Sequence, residues 1–546
     1  MKSITTLIVI ILSSVVLRAQ DLHYYILPKT DTINHSSVTT HTRLPLILNS
    51  KRSLTKWMTD KIFHENLIIV NKNNFFLTAD PIFGGVIGRE TVSGNRVWEN
   101  TRAFQIQGKL DLDSKDDMVR QSEGHSRESG NRMAIHRSFK SLSFSTSYFE
   151  TQFAHPPYLD SIVKTLRATP GQLRARDASY ATGWIKYQPN KIFSFEAGHG
   201  KNFIGNGYRS LLLSDGATPY PYFRIDTKIW RIHYVNLWAE LQDINFRDNF
   251  ADGYQKKYAA IHYLSLAITN RLEAGLFEVV NWQGRDSTHH RGFDINYLNP
   301  IIMFRPVEWT MGSPDNILMG ANLSYRFGQN TYLYGQMIMD EFKISEAKNW
   351  SAGWWANKMG WQIGAKTWIP LTRVGSQQPP IPNPQSLIPR FVFLQSEFNA
   401  VRPYTYSHTT SKQNYGHYNQ AMAHPLGGNF KEWVNFVRLR WDRIVVEGQY
   451  NYAKFGSDFN GSNFGHNIFL SYNDRISDYD VFIGNGLLNT LSYKIFTVSY
   501  LVNSASNFNI FVKLIDRRQV TELKDRHDLI FQVGFRNSIR NLYYDF

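Results

Sequence analysis

The sequence predicts an all-β protein: a closed antiparallel transmembrane β-barrel of about 18 strands, with a short N-terminal helical element on the periplasmic side. Three observations support this prediction. Stretches of about ten residues alternate apolar and polar side chains, as expected of strands with one face in lipid and one in water. Residues 1–19 have the charged start, apolar core and small residue, Ala19, of a secretory signal peptide. The printed sequence ends in an aromatic residue, Phe546, which we expect to finish the last strand of an outer-membrane barrel.

The segment 139–150 shows the alternation most clearly. Leu142, Phe144 and Tyr148 fall on one face of the predicted strand, and serines occupy the positions between them. Lipid offers no partner for backbone N–H and C=O groups, so a sheet in lipid has to close on itself. A soluble sandwich also alternates, but the pattern recurs in more than a dozen segments, which favours a membrane barrel.

The alternation marks eighteen candidate strands. They lie near 75–90, 102–110, 139–150, 178–188, 192–199, 222–243, 258–269, 270–281, 317–327, 330–340, 359–369, 390–400, 433–441, 443–455, 466–473, 487–502, 508–515 and 528–537. An even number is expected of a single-chain barrel.

Three units follow from these patterns. Residues 1–19 are the signal peptide, 20–75 an N-terminal periplasmic segment, and 76–546 the barrel with its long extracellular loops. Within the second unit, 51–64 has an apolar stripe at helical spacing. We expect this helix to pack at the periplasmic mouth; a free periplasmic arm is the alternative.

Two of the predicted connections have a distinctive composition. Residues 111–137 are heavily charged and 370–389 are rich in proline, so neither continues a strand. Both are predicted to be solvated loops. Because long loops of such barrels face the cell exterior and often carry function, they are expected there.

Composition narrows the class of partner. The formal net charge is +15, there is no cysteine, and 36 Phe, 29 Tyr and 14 Trp suffice for two aromatic girdles. The basic charge suggests anionic partners, such as lipid phosphate or acidic polysaccharide. The alternative is that lysines and arginines simply line the lumen and loops. Nucleic acid is not expected to meet a protein of the cell outer membrane.

One glycine-rich connection, 198–224, combines the residue types that a glycan site requires. Aromatic rings stack against sugar faces, while amide, carboxylate and guanidinium groups reach the hydroxyls. The candidate glycan-binding residues of this segment are Lys201, Asn202, Asn206, Tyr208, Arg209, Asp215, Tyr220 and Tyr222. An equally weighted alternative is a loop wedged into the lumen, whose polar groups bind only one another and the barrel wall.

Two further segments have a similar composition. The first, 413–430, adds His417 and His424 to the candidate glycan-binding residues, and the second runs from Arg291 to Pro300 and on to Glu308. No metalloprotease, serine-hydrolase or calcium-loop signature is present in the sequence. The sequence therefore predicts a protein that is not an enzyme and has no catalytic residue, cofactor or metal site.

Together these segments resemble the Wzi-type capsule-assembly outer-membrane barrels. The resemblance is carried by the 195–215 stretch (FEAGHGKNFIGNGYRSLLLSD), by NLWAELQ at 236–242, by YLNP at 297–300 with FRPVE at 304–308, and by NYGHYNQ at 414–420 with HPLG at 424–427. It is closest to the branch that includes the gliding-motility protein RemB. The resemblance implies an 18-stranded barrel with a helical element at the periplasmic side, a lectin-like role toward surface polysaccharide, and a part in adhesion or motility for the gliding branch.

The leading hypothesis is a non-enzymatic barrel in the cell outer membrane that binds or anchors surface polysaccharide, for capsule attachment or for gliding motility and adhesion. Its expected partners are surface polysaccharide, outer-membrane lipid and other cell-surface or motility proteins. Two alternatives stay open: a porin-like channel, and an accessory barrel of a surface secretion or assembly machinery. A barrel hydrolase would require a paired nucleophile and base on inward positions.

Overall fold

The protein forms a closed antiparallel barrel of 18 strands among the residues that the structure describes. The computed structural model describes residues 38–40, 54–63, 65–72, 74–112, 140–159, 169–170, 176–247, 253–285, 290–301, 304–371, 390–503, 506–537 and 543–546. No helix within these ranges is long and apolar enough to cross a membrane.

The barrel strands are numbered in chain order. They are β1 Phe75–Glu90, β2 Arg96–Asp111, β3 Ser141–Ala154, β4 Arg176–Gln188, β5 Phe193–Gly200, β6 Tyr220–Ile229, β7 Ile232–Arg247, β8 Tyr254–Ala267, β9 Leu272–Gln283, β10 Asn316–Phe327, β11 Thr331–Glu341, β12 Lys358–Pro370, β13 Phe391–Val401, β14 Phe430–Trp441, β15 Ile444–Ser457, β16 Leu487–Asn503, β17 Phe508–Val520 and β18 Asp525–Arg536. Each strand pairs with the next, and β18 closes the ring on β1 with Ile530 opposite Glu90 and Arg536 opposite Gly84.

The predicted strand count is confirmed, although two of the eighteen assignments are wrong. The segment 222–243 contains two strands, because Ile229 pairs with Ile232 around a two-residue turn at Trp230 and Arg231. Trp230 has φ +53° there, a conformation that turn-forming glycine or asparagine usually signals. The segment 466–473 is not a strand; its Ile468 is buried in the lumen.

Alternating strand direction defines two ends of the barrel. At one end, which we call the turn rim, lie the short connections 189–192, 230–231, 268–271, 328–330, 442–443 and 504–507. At the other end, which we call the loop rim, lie the long connections 155–175, 201–219, 284–315, 342–357, 402–429 and 458–486. The strands that flank 112–140 and 371–390 also end at the turn rim. These two long connections therefore leave the barrel opposite the other long loops, contrary to the expectation for them. Residues 113–139 and 372–389 lie outside the described residues.

The predicted N-terminal helix is confirmed, with bounds Leu54–Phe63 (α1). It lies at the turn rim, where the Asn503 side chain donates hydrogen bonds to the backbone oxygens of Lys61 at 3.0 Å and Ile62 at 3.1 Å. A short strand, Ile68–Lys72, follows and pairs with the first residues of β1. The predicted signal peptide, 1–19, lies outside the described residues.

The two faces of the wall differ as a membrane barrel requires. The outward face is an apolar belt, which includes Phe83, Ile87, Phe104, Ile185, Leu276, Leu323, Ile363, Val437, Phe496 and Phe531. The inward face carries polar residues, but it also surrounds a hydrophobic cluster that is buried inside the lumen. Packed side chains therefore fill part of the lumen.

The prediction that Phe546 finishes the last strand is wrong. Strand β18 ends at Arg536, and Phe546 packs against the hydrophobic cluster inside the lumen. The neighbouring residue, Asp545, is buried among hydrogen-bond donors of the wall and loops. These donors explain why the segment Tyr543–Phe546 lies in the lumen and does not extend the sheet.

Candidate functional site at the loop rim

Two loops, 201–219 and 402–429, fold into the lumen and form what we call the plug. Leu211, Leu212 and Leu213 are fully buried in the lumenal cluster. The hydroxyl groups of Tyr406 and Tyr415 donate to the backbone oxygens of Leu211 at 2.9 Å and Leu212 at 2.8 Å. The two loops thus hold each other through hydrogen bonds as well as apolar packing.

Inward side chains of the wall satisfy the irregular backbone of the plug. Glu397 accepts from the backbone N–H groups of Tyr208 at 2.7 Å and Arg209 at 3.1 Å. Gln362 donates to the Arg209 carbonyl at 3.1 Å, and Gln336 accepts from the Leu211 N–H at 2.9 Å. Such pairing is needed because an unpaired buried backbone group costs as much as a lost hydrogen bond.

Glycines permit this close approach. A Cβ at Gly207 would lie 2.2 Å from the Glu397 carboxylate, and one at Gly320, on the wall, would lie 2.5 Å from Leu212. Gly205 has φ +152°, which residues with a side chain rarely adopt. The glycines of the loop therefore serve the fit between plug and wall.

Arg209 is the centre of a buried ionic network. Its side chain is fully buried and contacts the carboxylates of Glu432 at 3.1 Å and Asp545 at 3.2 Å. His424 also contacts Glu432, at 2.7 Å. Burial acts to lower the pKa of Arg209, but Asp545 and Glu432 hold it well above its usual value. Burial lowers the pKa of His424, so this imidazole is neutral near pH 7.

Most of the other candidate residues pair within the protein. The Tyr222 hydroxyl donates to Glu196 at 2.6 Å, and Tyr220 accepts from the Asn202 N–H at 3.3 Å. Asn206 Oδ1 accepts from Asn322 at 2.8 Å. Asp215 accepts from the Tyr543 hydroxyl at 2.5 Å. These contacts match the alternative of a loop wedged into the lumen.

Two candidates, Lys201 and His417, instead line a cavity of about 720 Å³, which we call the upper cavity. It lies between the plug and the loop-rim ends of β3, β4 and β5. Lys201 reaches the Asp215 carbonyl at 3.0 Å, and His417 accepts from the Gln242 N–H at 3.0 Å. The upper cavity is rich in rings, from Phe153, His155, Tyr180, His199, Tyr418, His466, Phe469, Tyr543, Tyr544 and Phe546.

A second cavity of about 210 Å³, the lower cavity, lies beneath it. Tyr208 lines this space together with the basic residues Arg438, Lys513 and Arg536. Tyr543 and Tyr544 line both cavities, so the segment Tyr543–Phe546 forms the partition between them.

Lys201 and His417 are candidates from the sequence that line the upper cavity, whereas the rings of its wall, such as Phe153 and Tyr180, are not among the predicted residues. Phe153 and Tyr180 occupy inward positions at the loop-rim ends of their strands. In β3 the inward positions change from serine to Phe149 and Phe153 toward that rim. This change from small polar to aromatic residues is the feature of the sequence that indicates the aromatic wall of the upper cavity.

The third segment singled out in the sequence lies outside the barrel. Residues 290–301 and 304–311, which we call the strap, run from the loop rim down the outward face. Tyr297 and Phe304 are fully buried there, in a cluster with Trp238, Tyr258 and Trp282. The hydroxyl of Tyr234, which is three residues beyond the turn at 230–231, donates to the Pro300 carbonyl at 2.5 Å. The strap therefore covers most of the height of the wall.

A closed 18-stranded barrel with an apolar outward belt and a plugged, ring-lined mouth defines a β-barrel of the outer-membrane class. No protein-family model matches the chain, and no curated protein matches it. The structure is similar to that of Wzi, titled an outer-membrane protein involved in group 1 capsule assembly in Escherichia coli and a carbohydrate-binding β-barrel. The TM-score is 0.48 at 12% identity, covering 88% of this chain and 96% of that one.

It is also similar to porins. For OprD of Pseudomonas aeruginosa the TM-score is 0.40 at 11% identity, covering 84% of this chain and 94% of that one. For a BenF-like porin of Pseudomonas fluorescens Pf-5 it is 0.41 at 9% identity, covering 84% and 97%. The likenesses thus include a carbohydrate-binding barrel as well as porins.

Proposed function

We propose that this protein is a non-enzymatic barrel of the cell outer membrane that binds surface polysaccharide in the upper cavity. The observation that carries the proposal is a ring-lined cavity of about 720 Å³ at the mouth of a lumen that the plug fills in part. Its volume lies within the range of about 300–1,000 Å³ that ligand pockets have. The plug closes one side of the lumen, which suits retention of a ligand better than free passage.

The lining has the chemistry of a sugar site. Tyr180 and Phe469 offer aromatic faces for stacking against the apolar face of a sugar ring. Lys201, Asn419 and Gln420 offer polar groups to its hydroxyls. On this proposal a chain of sugars enters the cavity from the loop rim.

The orientation of the barrel follows the rule that short turns face the periplasm and long loops the exterior. With the turn rim inward, α1 lies on the periplasmic side and the upper cavity opens to the cell surface. Within this proposal the protein belongs with the Wzi-type barrels, in the branch that includes the gliding-motility protein RemB. It serves polysaccharide attachment, or adhesion and motility with other surface proteins.

Substitution of the cavity rings tests the proposal. Tyr180→Ala and Phe469→Ala are each expected to weaken binding about tenfold or more, because aromatic stacking on a sugar is lost. Purified surface polysaccharide of the source cells, immobilised on beads, captures the detergent-solubilised barrel. The matched control is Tyr148→Ala, since Tyr148 lies on the outward face and is 42% exposed. Equal capture of all four proteins would contradict the proposal.

A porin-like channel is the second candidate, and the lower cavity is the observation that favours it. Single-channel recording in planar bilayers separates the two functions. The binding protein is expected to show no stable open conductance, whereas a porin would show one in the unmodified chain.

A further inference from the structure

The side chain of Asp545 sits in a ready-made anion site inside the lumen. Its carboxylate accepts from Tyr208 Oη at 2.9 Å, Gln449 Nε2 at 2.5 Å and Asn451 Nδ2 at 2.9 Å, and pairs with Arg209 Nη1 at 3.2 Å. Asp545 is 5% exposed. We call these four donor residues the carboxylate site.

The donors are held by other groups, so the site does not depend on its present occupant. Glu432 anchors the Arg209 guanidinium, and Glu397 anchors the backbone at Tyr208 and Arg209. On the wall, Gln449 Nε2 also donates to Asn451 Oδ1 at 3.1 Å. If Asp545 left, the geometry of the donors would remain.

The electrostatics of the carboxylate site favour a single negative charge. Arg209 is the one cation in it, and Glu432 already balances that charge in part. The other three donor residues are neutral and lie in positions that suit two oxygens of one planar group. A doubly charged phosphate would leave one charge uncompensated in a buried place, which is costly.

The carboxylate site lies on the partition between the cavities. Tyr208, Gln449 and Asp545 line the lower cavity, while Tyr543 and Phe546, on either side of Asp545, line the upper one. Withdrawal of the segment Tyr543–Phe546 would therefore join the two cavities and expose the donors to a ligand that enters from the loop rim.

We propose that the carboxylate site binds the carboxylate of an acidic sugar. In the present structure Asp545 of the chain itself occupies it. A uronate residue of the polysaccharide competes with Asp545 for the same four donor residues. The inference rests on the proposed function and names the class of its ligand. The segment Tyr543–Phe546 then acts as an internal competitor, which lowers the apparent affinity by the fraction of time that it occupies the site.

Isothermal titration of the detergent-solubilised full chain with sodium glucuronate tests the inference, with glucose as the neutral probe. Asp545→Asn weakens the internal competitor and is expected to raise the affinity for glucuronate about tenfold, with no change for glucose. Deletion of residues 543–546 is expected to raise it further. Asp525→Asn is the matched control, because Asp525 is the first residue of β18 and its side chain is 48% exposed.

A second variant locates the ligand. Tyr208→Phe in the Asp545→Asn background keeps the ring but removes one donor, and it should reverse part of the gain. Retention of the folded barrel is checked by heat-dependent mobility on gels; if the deletion fails this check, the two point variants decide. Equal glucuronate affinity in the unmodified chain and Asp545→Asn would overturn the inference, as would an equal gain for glucose. The proposed function fails separately, if the unmodified chain captures no polysaccharide.

Discussion

The plug and the strap start from the same rim and end on opposite faces of the same wall. The plug turns inward and buries Leu211, Leu212 and Leu213. The strap turns outward and buries Tyr297 and Phe304. Both are irregular segments at the depth of the strands, where unpaired backbone is tolerated only when protein covers it. The wall therefore has to pair irregular backbone on both of its faces.

On the inward face, the polar side chains that any such barrel carries there pair with the backbone of the plug. On the outward face, polar residues have to replace apolar ones at the positions beneath the strap. Asn236, His262 and Glu278 occupy outward positions of three adjacent strands and are at most 3% exposed beneath the strap. Glu278 accepts from the Phe304 N–H at 2.7 Å, and the Trp238 indole donates to the Tyr297 carbonyl at 2.8 Å. Polar residues in the lipid-facing phase thus mark where an external segment docks.

The two segments also differ in what they show to their surroundings. Ile295 and Ile301 of the strap are 75% and 67% exposed on the outward side. The plug shows the Lys201 and His417 side chains to the upper cavity. The strap therefore extends the apolar surface of the barrel, whereas the plug shapes a polar, ring-lined cavity.

The largest expected effect concerns the ionic centre of the plug. Arg209→Ala leaves Glu432 buried without its cation, which should cost about 4 kcal/mol of plug stability. Amide hydrogen exchange of residues 201–219 should rise, while exchange in the strap stays unchanged. Arg518→Ala, which removes an exposed pair with Asp525, is the control and should change little. Unchanged exchange in the plug would show that its anchors lie elsewhere.

Loss of a buried ring from the strap is expected to cost somewhat less stability. Tyr297→Ala removes a fully buried ring and its hydrogen bond to Asp315. Its cost should be about 3 kcal/mol, released as local detachment of the strap. Limited proteolysis of the barrel in lipid vesicles should then cut within 290–301. Ile295→Ala, in the same segment but exposed, should not open it; cleavage in both variants would mean that the strap is detached already.

A smaller effect tests the fit between plug and wall from the wall side. A Cβ at Gly320 would lie 2.5 Å from Leu212 and 2.7 Å from the Met337 carbonyl, so Gly320→Ala should loosen the plug by about 2 kcal/mol. Gly448→Ala is the matched control, because a Cβ there meets nothing within 4 Å. Hydrogen exchange of residues 210–213 measures the difference. If both variants behave alike, the plug tolerates a shift that the packing does not suggest.

The smallest effect is a pH dependence of the plug. Burial lowers the pKa of His408 from 6.5 to about 4. The plug therefore favours the neutral ring, so its stability is full above pH 6.5 and falls as the pH drops toward 4. At pH 5.5 the loss should be about 1.4 kcal/mol. Exchange in the plug, measured at pH 7 and 5.5, should show it, and His408→Gln should reduce it; an equal pH response of the plug in His408→Gln and in the unmodified chain would contradict this assignment.

The sequence predicted the wall well because the wall is periodic. Alternation identified sixteen strands near their observed positions; two errors, at Trp230 and at 466–473, offset each other in the count. The turn at Trp230 lacks glycine and asparagine, so no residue type signals it. The alternating apolar residues of 466–473 serve packing in the mouth, not a strand.

The loops were harder because their burial depends on where they fold back. Arg209 and His424 have the residue types of a ligand site. His424 pairs with Glu432, eight residues further along the chain. The partners of Arg209, Glu432 and Asp545, are 223 and 336 residues away. The pattern of residues in a short stretch of sequence does not predict a partner that is so far along the chain. Lys201 and His417 have the same residue types and line the upper cavity instead.

The closure of the ring has a consequence for how the barrel is made. The free edge of β1 is shared: residues 75–79 pair with Ile68–Lys72, and residues 84–90 pair with β18. The first and last barrel strands thus meet over seven residue pairs, whereas β1 and β2 share fifteen. Every other pair of neighbouring barrel strands is consecutive along the chain, so during insertion this seam is the last to form, after β18 is in place.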